Sequence, residues 1–329
     1  MKVFLTGGTG YIGNRIALHF ANKGIIVHAL VRSKQKATLL MHDNISLFTG
    51  DIHQAEALET AMQGCDVVIH SAAFSALYTP KEELYSEINI KGSQNVFTAA
   101  QKVNVKKFLY ISSAGILGPS DTQPVHEATK RTVPYFNEYE RTKAEAEKWL
   151  LSQSNDSLTV SSLNLTRVFG PGQLTEANAG TRLVHQVANG WRIIPGDGKS
   201  IGNYVYIDDV LDACYQTIEK GKSGHRYIIG GDNIDFNTYF TVAKQVTGAT
   251  QKMINLPVGI IMGISRVMLW LAPLGIAPTI TPQWVKRYMY NWVLDNTKAK
   301  TELGISFTPF EEGMQKTVEW LKQNPPKKK

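Results

Sequence analysis

Short apolar runs alternate with stretches of helical spacing over the first 170 residues of the chain. The apolar runs are bounded by glycine, serine or charged residues, which is typical of buried strands. In the stretches between them, apolar residues recur at positions that share one helix face. Strands separated by helices of this length favour parallel βαβ units with right-handed crossovers. The predicted strands are KVFLTG, IIVHALVR, ISLFTGDI, CDVVIHSAA, KKFLYISSAG and LTVSSLNLTRVFG.

The pattern loosens after Gly170, where GPGQLTEANAG is typical of a loop. YVYIDDVLDACYQTIEKG then predicts a strand followed by a helix, with Asp208 as its N-cap, and HRYIIGG predicts a further strand. We therefore predict an α/β fold, a doubly wound parallel sheet over residues 1–170 to which residues 203–231 return. Residues 171–202 and 232–329 are predicted to form a smaller, mostly helical substrate-binding domain.

One apolar segment, Leu256–Pro278, is about as long as a membrane span. Arg266 lies near its middle and prolines interrupt it, and a central arginine makes insertion unfavourable. We therefore predict no transmembrane span and favour a buried or groove-lining helix. A lid over an apolar substrate and a helix at a membrane surface remain open alternatives.

The composition is that of an ordinary folded protein, 43% hydrophobic and 19% charged. The formal net charge of +7 comes partly from the C-terminal PPKKK and fits an anionic ligand such as phosphate. No nucleic-acid-binding motif accompanies it, so we expect no nucleic-acid partner. Cys65 and Cys214 form no CxxC or Cys/His cluster, which predicts neither a disulfide nor a metal site. Because MKVFLTGGTG leaves no room for a signal peptide, we expect a cytoplasmic location.

A glycine-rich turn joins the first strand to the first helix. Gly7, Gly10 and Gly13 form G-x-x-G-x-x-G, a spacing that differs from the common G-x-G-x-x-G fingerprint. Glycine lets the backbone turn tightly and approach a pyrophosphate, and the helix N-terminus offers free N–H groups. This turn, with a strand before it and a helix after it, predicts a dinucleotide site.

The residues after the second strand bear on which dinucleotide binds. A free ribose 2′-hydroxyl usually meets an acidic residue here, but ALVRSKQK contains none. Arg32 directly follows the strand and suits a 2′-phosphate, while Lys34 and Lys36 are expected to be solvated. We therefore favour NADP(H) over NAD(H). Asp51, which closes the third strand, is expected either to accept a hydrogen bond from the adenine amino group or to cap its loop.

The stretch EYERTKAE places Tyr139 and Lys143 four residues apart, on one face of a predicted helix. Such pairs are common by chance, so the other motifs have to decide. TGGTGYIG, GDI, SAA, INIKGSQNV, YISSAGILG and RVFGPG occur in the order seen in one family. The chain resembles the extended short-chain dehydrogenases/reductases (the NAD(P)-dependent epimerase/dehydratase family) over essentially its whole length. Within that family it looks most like the dihydroflavonol 4-reductase and 3β-hydroxysteroid dehydrogenase branch.

The resemblance implies a Rossmann fold and a catalytic role for Ser113, Tyr139 and Lys143, with Ser112 the less favoured serine. Tyr139 would exchange a proton with an alkoxide, and Lys143, together with the positive nicotinamide of the oxidised cofactor, should lower the pKa of Tyr139. Lys143 would also hold the nicotinamide ribose. The Ser113 hydroxyl would orient and polarise the carbonyl, and Asn89 would support the active-site helix or a water. The cofactor-binding residues that the resemblance implies are Gly7, Thr9, Gly10, Tyr11, Ile12, Gly13, Arg32, Asp51, Ile52, Ser71, Ala72, Ala73, Tyr139 and Lys143.

The chain departs from the family pattern R-P-x-N-V-Y-G-P at the end of the sixth strand. Asn164 occupies the usual arginine position and Arg167 the usual asparagine position. Arg167 is expected either to contact the substrate or to pair with an acidic neighbour. Leu117 stands where nucleotide-sugar epimerases often have tyrosine, which leans away from sugar nucleotides.

The sequence thus predicts an NADP(H)-dependent oxidoreductase that interconverts an alcohol and a ketone or aldehyde on an apolar small molecule. Two alternatives are an NAD-dependent nucleotide-sugar epimerase or dehydratase and an NAD-dependent 3β-hydroxysteroid-type dehydrogenase. A third, from another class, is a non-catalytic NADP(H) sensor. A homodimer through a helix pair is common in the family and is also expected.

Overall fold

The structure, a computed structural model, describes residues 1–325 as twelve strands and eleven α-helices. The strands are β1 (Lys2–Thr6), β2 (Ile26–Val31), β3 (Ile45–Thr49), β4 (Val67–His70), β5 (Lys107–Ser113), β6 (Thr159–Leu165), β7 (Arg167–Phe169), β8 (Ile193–Pro195), β9 (Ile201–Tyr206), β10 (Arg226–Ile229), β11 (Asp232–Asp235) and β12 (Ile254–Leu256). The helices are α1 (Tyr11–Asn22), α2 (Ala55–Met62), α3 (Glu83–Ser86), α4 (Gly92–Lys102), α5 (Glu138–Ser152), α6 (Ala179–Ala188), α7 (Ile207–Lys220), α8 (Phe236–Thr247), α9 (Val258–Leu271), α10 (Pro282–Tyr288) and α11 (Phe310–Gln323).

Seven strands form a parallel sheet in the order β10-β6-β5-β4-β1-β2-β3. The strand order reverses between β1 and β4, and ligands of such sheets bind outside the carboxyl ends at that point. The predicted doubly wound parallel sheet is confirmed. Two smaller sheets, β11-β9-β7 and β12-β8, lie beyond the main sheet.

Apolar side chains fill both faces of the main sheet because successive residues of a strand point to opposite sides. In β1, Leu5 packs in the cluster that includes Ile16 of α1, whereas Phe4 packs in the cluster that includes Val96 of α4. Both strand residues are fully buried. A sheet covered on both faces needs near-continuous apolar strands, which is the pattern in the sequence.

Three local predictions differ from the structure. The predicted sixth strand divides at Thr166, because its amide N–H makes the last bond to β10 and the chain then pairs with β9. The helix predicted around INIKG begins earlier, at Glu83, and contains a π-helical turn over Glu87–Lys91. Asp208 is not the N-cap of α7. Tyr206 occupies that position, and Asp208 lies in the first turn beside Arg15, 3.1 Å from it.

The apolar segment Leu256–Pro278 forms α9 and the turn after it. Within residues 1–325, no helix combines the length and apolar character needed to cross a membrane. Part of α9 lines a large cleft, as predicted for a groove-lining helix, but much of the helix is exposed, so the prediction of a buried helix is wrong. The C-terminal lysines of the tail lie outside the described residues.

Candidate active site

The glycine turn follows β1 at the point where the strand order reverses. Gly7 has φ +74°, and a Cβ there would lie 2.7 Å from the backbone of Ser71 and Ala72, so the turn requires glycine. A Cβ on Gly13 would overlap the carbonyl oxygen of Gly7, which lets α1 approach the turn closely. Gly10 differs, because its Cβ would meet nothing closer than 3.5 Å. The missing side chain at Gly10 therefore leaves space for a ligand.

The N-terminus of α1 opens into the same space. No side chain of the described residues caps this helix, and its first turn has no acidic residue, so its free N–H groups and positive potential stay available to an anion. The Tyr11 side chain points inward, where its hydroxyl donates to the Gly170 carbonyl at 3.3 Å. The Tyr11 hydroxyl is therefore already bonded within the protein. The turn and helix end together fit the pyrophosphate of a dinucleotide.

The rim beyond the glycine turn carries the residues expected to read the adenosine half. Arg32 is exposed after β2, and no carboxylate of residues 1–325 lies within 4.0 Å of its side chain. Asp51 follows β3, where its carboxylate accepts from the His53 N–H at 3.1 Å. This hydrogen bond is the loop cap that was one of the two roles predicted for Asp51. Arg32 and Asp51 both border the cleft.

A buried polar group ties the end of β4 to the helices behind it. His70 is fully buried, with its Nδ1 2.7 Å from Thr6 Oγ1 and its Nε2 2.9 Å from Ser93 Oγ. Burial, together with a smaller contribution from the charge of Lys143, lowers the His70 pKa to about 3. The imidazole is therefore neutral at ordinary pH and serves as a hydrogen-bonding brace.

Asn89 lies in the π-helical turn and is almost fully buried. Its side-chain carbonyl accepts from the Phe74 N–H at 2.7 Å, and its amide donates to Thr142 Oγ1 of α5 at 3.0 Å. π-Helical turns often mark functional sites. Here the turn aims Asn89 so that it connects the loop after β4 to the helix that carries Tyr139.

Ser113 and Tyr139 come together at the carboxyl end of β5. Ser113 ends β5, and its Oγ accepts from the Gly115 N–H at 3.2 Å. Tyr139 lies in the first turn of α5, whose N-cap is Asn137. Burial raises the pKa of Tyr139 to about 12, while hydrogen bonding to Ser113 and the charge of Arg287 oppose the rise. The phenol is therefore a proton donor across the ordinary pH range.

Lys143 follows Tyr139 by one helical turn and is 1% exposed. Its Nζ donates to the Ile111 carbonyl at 2.7 Å and lies 3.8 Å from the centroid of the Tyr110 ring. Burial lowers its pKa to about 7, although Glu147 opposes this. The sequence expected Lys143 to lower the pKa of Tyr139, but Arg287 is the cation that does so in the structure. Desolvation accounts for the difference, since it disfavours the charged form of Lys143.

All the residues that the sequence assigned to cofactor, catalysis or substrate border one cleft of about 1970 Å³. The cleft runs from the glycine turn, past Ser113 and Tyr139, to the helices of the C-terminal part. Its outer wall is mainly apolar and comes from α6, α9 and α10. The wall residues include Leu183, Ile261, Ile264, Met268, Trp284 and Val285. Such a cleft suits a dinucleotide at one end and a second small molecule at the other.

Residues 3–230 match the model of the NAD dependent epimerase/dehydratase family. The chain belongs to this family. A Synechocystis protein named as a dihydroflavonol 4-reductase is 26% identical to it, covering 98% of this chain and 94% of its own. The sterol-4-alpha-carboxylate 3-dehydrogenase (decarboxylating) of Candida albicans is 27% identical, covering 98% of both chains.

Among solved structures, the UDP-glucose 4-epimerase of Thermus thermophilus in complex with NAD has the same fold, with a TM-score of 0.77. It is 21% identical and covers 98% of this chain and 100% of its own. The resemblance to the epimerase/dehydratase family and to its reductase and hydroxysteroid dehydrogenase branch is thus confirmed. The chain is an NAD(P)-dependent enzyme of the oxidoreductase type.

The structure of this family member also brings in residues that the sequence did not single out. Glu140, next to Tyr139, is buried between Arg287 Nε at 2.8 Å and Arg131 Nη2 at 2.9 Å. Arg131 also donates to the Gly115 carbonyl at 2.6 Å. A Cβ on Gly115 would lie 3.3 Å from both Ser113 Oγ and Arg287 Nη2, so the guanidinium lies close to the serine. No local motif marks Arg287, since its partner Glu140 is 147 residues away.

The Arg167 side chain is half-buried and lies among aromatic residues. Its Nη1 donates to the Tyr204 hydroxyl at 2.9 Å, and its guanidinium lies 5.3–5.7 Å from the ring centroids of Tyr204, Phe236 and Tyr288. No carboxylate of residues 1–325 lies within 4.0 Å of Arg167, so the expected alternative of an acidic neighbour is wrong. Asn164 instead donates to Glu147 at 2.7 Å, behind the site.

Proposed function

We propose that the protein is an NADP(H)-dependent oxidoreductase that interconverts a ketone or aldehyde and an alcohol on an apolar small molecule. The observation that carries the proposal is the position of Ser113 and Tyr139. Both lie at the carboxyl end of the sheet, between the glycine turn and an apolar wall. A hydroxyl pair in that place can meet a carbonyl oxygen while the rest of the substrate lies against the wall.

Each side chain of the site has one role in the proposed reaction. The nicotinamide, when bound, supplies or accepts the hydride. In the reductive direction the Tyr139 hydroxyl donates its proton to the developing alkoxide, and the Ser113 hydroxyl orients the carbonyl oxygen. Lys143 would hold the nicotinamide ribose. The nearby Arg287 adds positive charge on the same side.

A Tyr139→Phe variant tests this assignment with cofactor binding as a second readout. We expect loss of ketone reduction by about 10²-fold or more, the usual size of a general acid's contribution, with unchanged NADPH affinity. Ser112→Ala is the matched control, because Ser112 is buried and its hydroxyl has no partner among residues 1–325. Undiminished turnover in Tyr139→Phe would remove Tyr139 from the mechanism.

The preference for NADP(H) is proposed from Arg32 and from the lack of an acidic residue after β2. An exposed guanidinium without a carboxylate partner is free to bind a 2′-phosphate. Titration should give NADPH an advantage over NADH of tenfold or so, about 1.4 kcal/mol. Arg32→Ala should lose that advantage, and Lys36→Ala, in the exposed turn that follows, should keep it. A wild-type preference for NADH would contradict the proposal.

The apolar substrate is proposed from the outer wall of the cleft and from the names of the relatives. The main alternative is a nucleotide-sugar epimerase, which retains NAD through each catalytic cycle. Purified protein separates the two classes. An oxidoreductase consumes added cofactor in proportion to product, whereas an epimerase arrives with bound cofactor and shows no net consumption. A panel of alicyclic and aromatic ketones with NADPH is the first screen.

Arg167 suggests a second candidate, a dehydrogenase whose substrate carries a carboxylate near the carbinol. A half-buried guanidinium without a carboxylate partner favours an anionic group on the ligand. The name of the Candida albicans relative also describes a carboxylate substrate. With NAD(P)⁺, 3-hydroxy acids should then be oxidised in preference to their methyl esters. Arg167→Met should lose that preference, and Arg192→Met, an exposed arginine elsewhere, should keep it. Equal rates for acid and ester would exclude this candidate.

We further propose a cytoplasmic location, because Cys65 and Cys214 are both free thiols, as expected in a reducing compartment. The homodimer also remains a proposal. Light scattering of the purified chain tests it directly.

A further inference from the structure

Much of α9 and of the turn after it forms an exposed apolar surface that reaches the rim of the cleft. Six large apolar residues of α9 and the following turn are between 46% and 76% exposed, and we call them the outer apolar face. They are Ile260, Ile264, Val267, Trp270, Leu274 and Ile276. Helices that are apolar all round are normally buried on every side, and contiguous exposed apolar patches mark interaction sites. The outer apolar face is therefore a candidate interaction site.

The charges of the segment that carries this face have one sign. Residues 236–294 contain no Asp or Glu, but they contain five Lys or Arg. Arg287 is held by Glu140, whereas Lys252, Arg266 and Lys286 are exposed. None of these three has a carboxylate within 4.0 Å in the described part of the chain. Apolar side chains bordered by uncompensated cations match the boundary between acyl chains and anionic headgroups.

A second copy of this chain fits the surface less well. A two-fold contact sets the same patch against itself, so the cations of residues 236–294 would face each other without a carboxylate to separate them. A transmembrane arrangement is also excluded for α9, since its 14 residues extend about 21 Å at 1.5 Å per residue, short of a bilayer core. A helix lying along a membrane surface meets both constraints.

We propose that the outer apolar face docks on an anionic phospholipid bilayer, with α9 lying in the interface. Trp270 and Leu274, the two most exposed of the six, enter the acyl boundary, and Arg266 and Lys286 pair with lipid phosphates. The same helix lines the cleft through Ile261 and Met268, and Ile264 belongs both to the cleft lining and to the outer apolar face. Docking therefore places the rim of the cleft at Ile264 beside the bilayer, where an apolar substrate is dissolved.

Vesicle co-sedimentation of the purified full-length protein tests this proposal. Vesicles of phosphatidylcholine with about 30 mol% phosphatidylglycerol should bind the wild type, and pure phosphatidylcholine should bind it much less. A Val267→Ser/Trp270→Ser variant should bind at least about tenfold less, because it loses two large apolar groups from the face. Leu39→Ser/Met41→Ser is the matched control, since those residues are 57% and 78% exposed elsewhere. The control should bind like the wild type.

The tail needs its own control, because Lys327, Lys328 and Lys329 can bind anionic vesicles unaided. Changing all three to glutamine should leave binding that still depends on Val267 and Trp270. Unchanged NADPH affinity and unfolding midpoint would show that each variant is folded. Three results would overturn the proposal: no binding by the wild type, equal binding by the Val267→Ser/Trp270→Ser variant, or a wild-type dimer that this variant converts to monomer.

Discussion

Replacing Lys143 by methionine should stabilise the fold and, at the same time, abolish ketone reduction. The side chain is 1% exposed, and its polar contacts among residues 1–325 are with the Ile111 carbonyl and the Tyr110 ring. No carboxylate of residues 1–325 lies within 4.0 Å of the amine. A buried ammonium without a charge partner destabilises the native state, and methionine fills similar space without charge.

The magnitude follows from the pKa of Lys143, which burial lowers from 10.5 to about 7. At 1.36 kcal/mol per pH unit, this corresponds to about 5 kcal/mol against folding. Between pH 7 and 10.5 the unfolded chain binds a proton that the native state does not. The penalty is therefore complete below pH 7 and disappears as the pH rises to 10.5. After subtracting about 1–2 kcal/mol for the lost hydrogen bond, Lys143→Met should gain about 3 kcal/mol below pH 7.

Urea unfolding at about pH 6 and about pH 9 would measure this gain and its loss at the higher pH. Lys148→Met is the matched control, because Lys148 is exposed on the same helix and should change stability by less than about 0.5 kcal/mol. Ketone reduction, measured in parallel, should fall in Lys143→Met alone. If Lys143→Met destabilises the fold at pH 6, or changes the free energy of unfolding equally at both pH values, the electrostatic reasoning is wrong.

Three other changes give separate tests. Gly13→Ala should weaken NADPH binding by at least about tenfold, because its Cβ would overlap the Gly7 carbonyl and displace the turn; unchanged affinity in a titration would contradict this. Glu140→Gln should reduce the free energy of unfolding by about 3–5 kcal/mol, since it leaves two buried guanidiniums without a carboxylate. The exposed control Glu145→Gln should cost less than about 1 kcal/mol. In His70→Asn, the free energy of unfolding measured with urea should depend less on pH in acid, because the wild type loses about 1.4 kcal/mol of it per pH unit as the pH falls from 6.5 toward 3. An unchanged pH dependence between 6.5 and 3 would refute this prediction.

The sheet and the cofactor turn were predictable because both depend on local sequence. Period-two and continuous apolar runs specify strands, and the three glycines lie within seven residues of one another. Tyr139 and Lys143 share a helix face for the same local reason. The break at Thr166 was not predictable, because the run LTVSSLNLTRVFG is continuous and only pairing with β9 ends the strand.

The substrate side of the site depends on contacts between distant segments. The pairing of Arg287 with Glu140 and the aromatic surroundings of Arg167 arise only when the C-terminal helices fold over the sheet. Neither leaves a local pattern in the sequence. The direction of the Lys143 pKa shift was likewise not predictable, because it is set by burial against residues of β5.

Glu140 and Tyr139 are consecutive in α5, so their side chains leave the helix in different directions. Tyr139 faces the cleft, while Glu140 holds Arg287 of α10, the helix next to α9. The outer wall is thus fastened to the residue beside the proton donor. A shift of that wall, caused by a substrate or by a surface in contact with it, would move Arg287 and, through the ion pair with Glu140, the helical turn that carries the phenol. Substrate binding and proton transfer would then depend on the same ion pair.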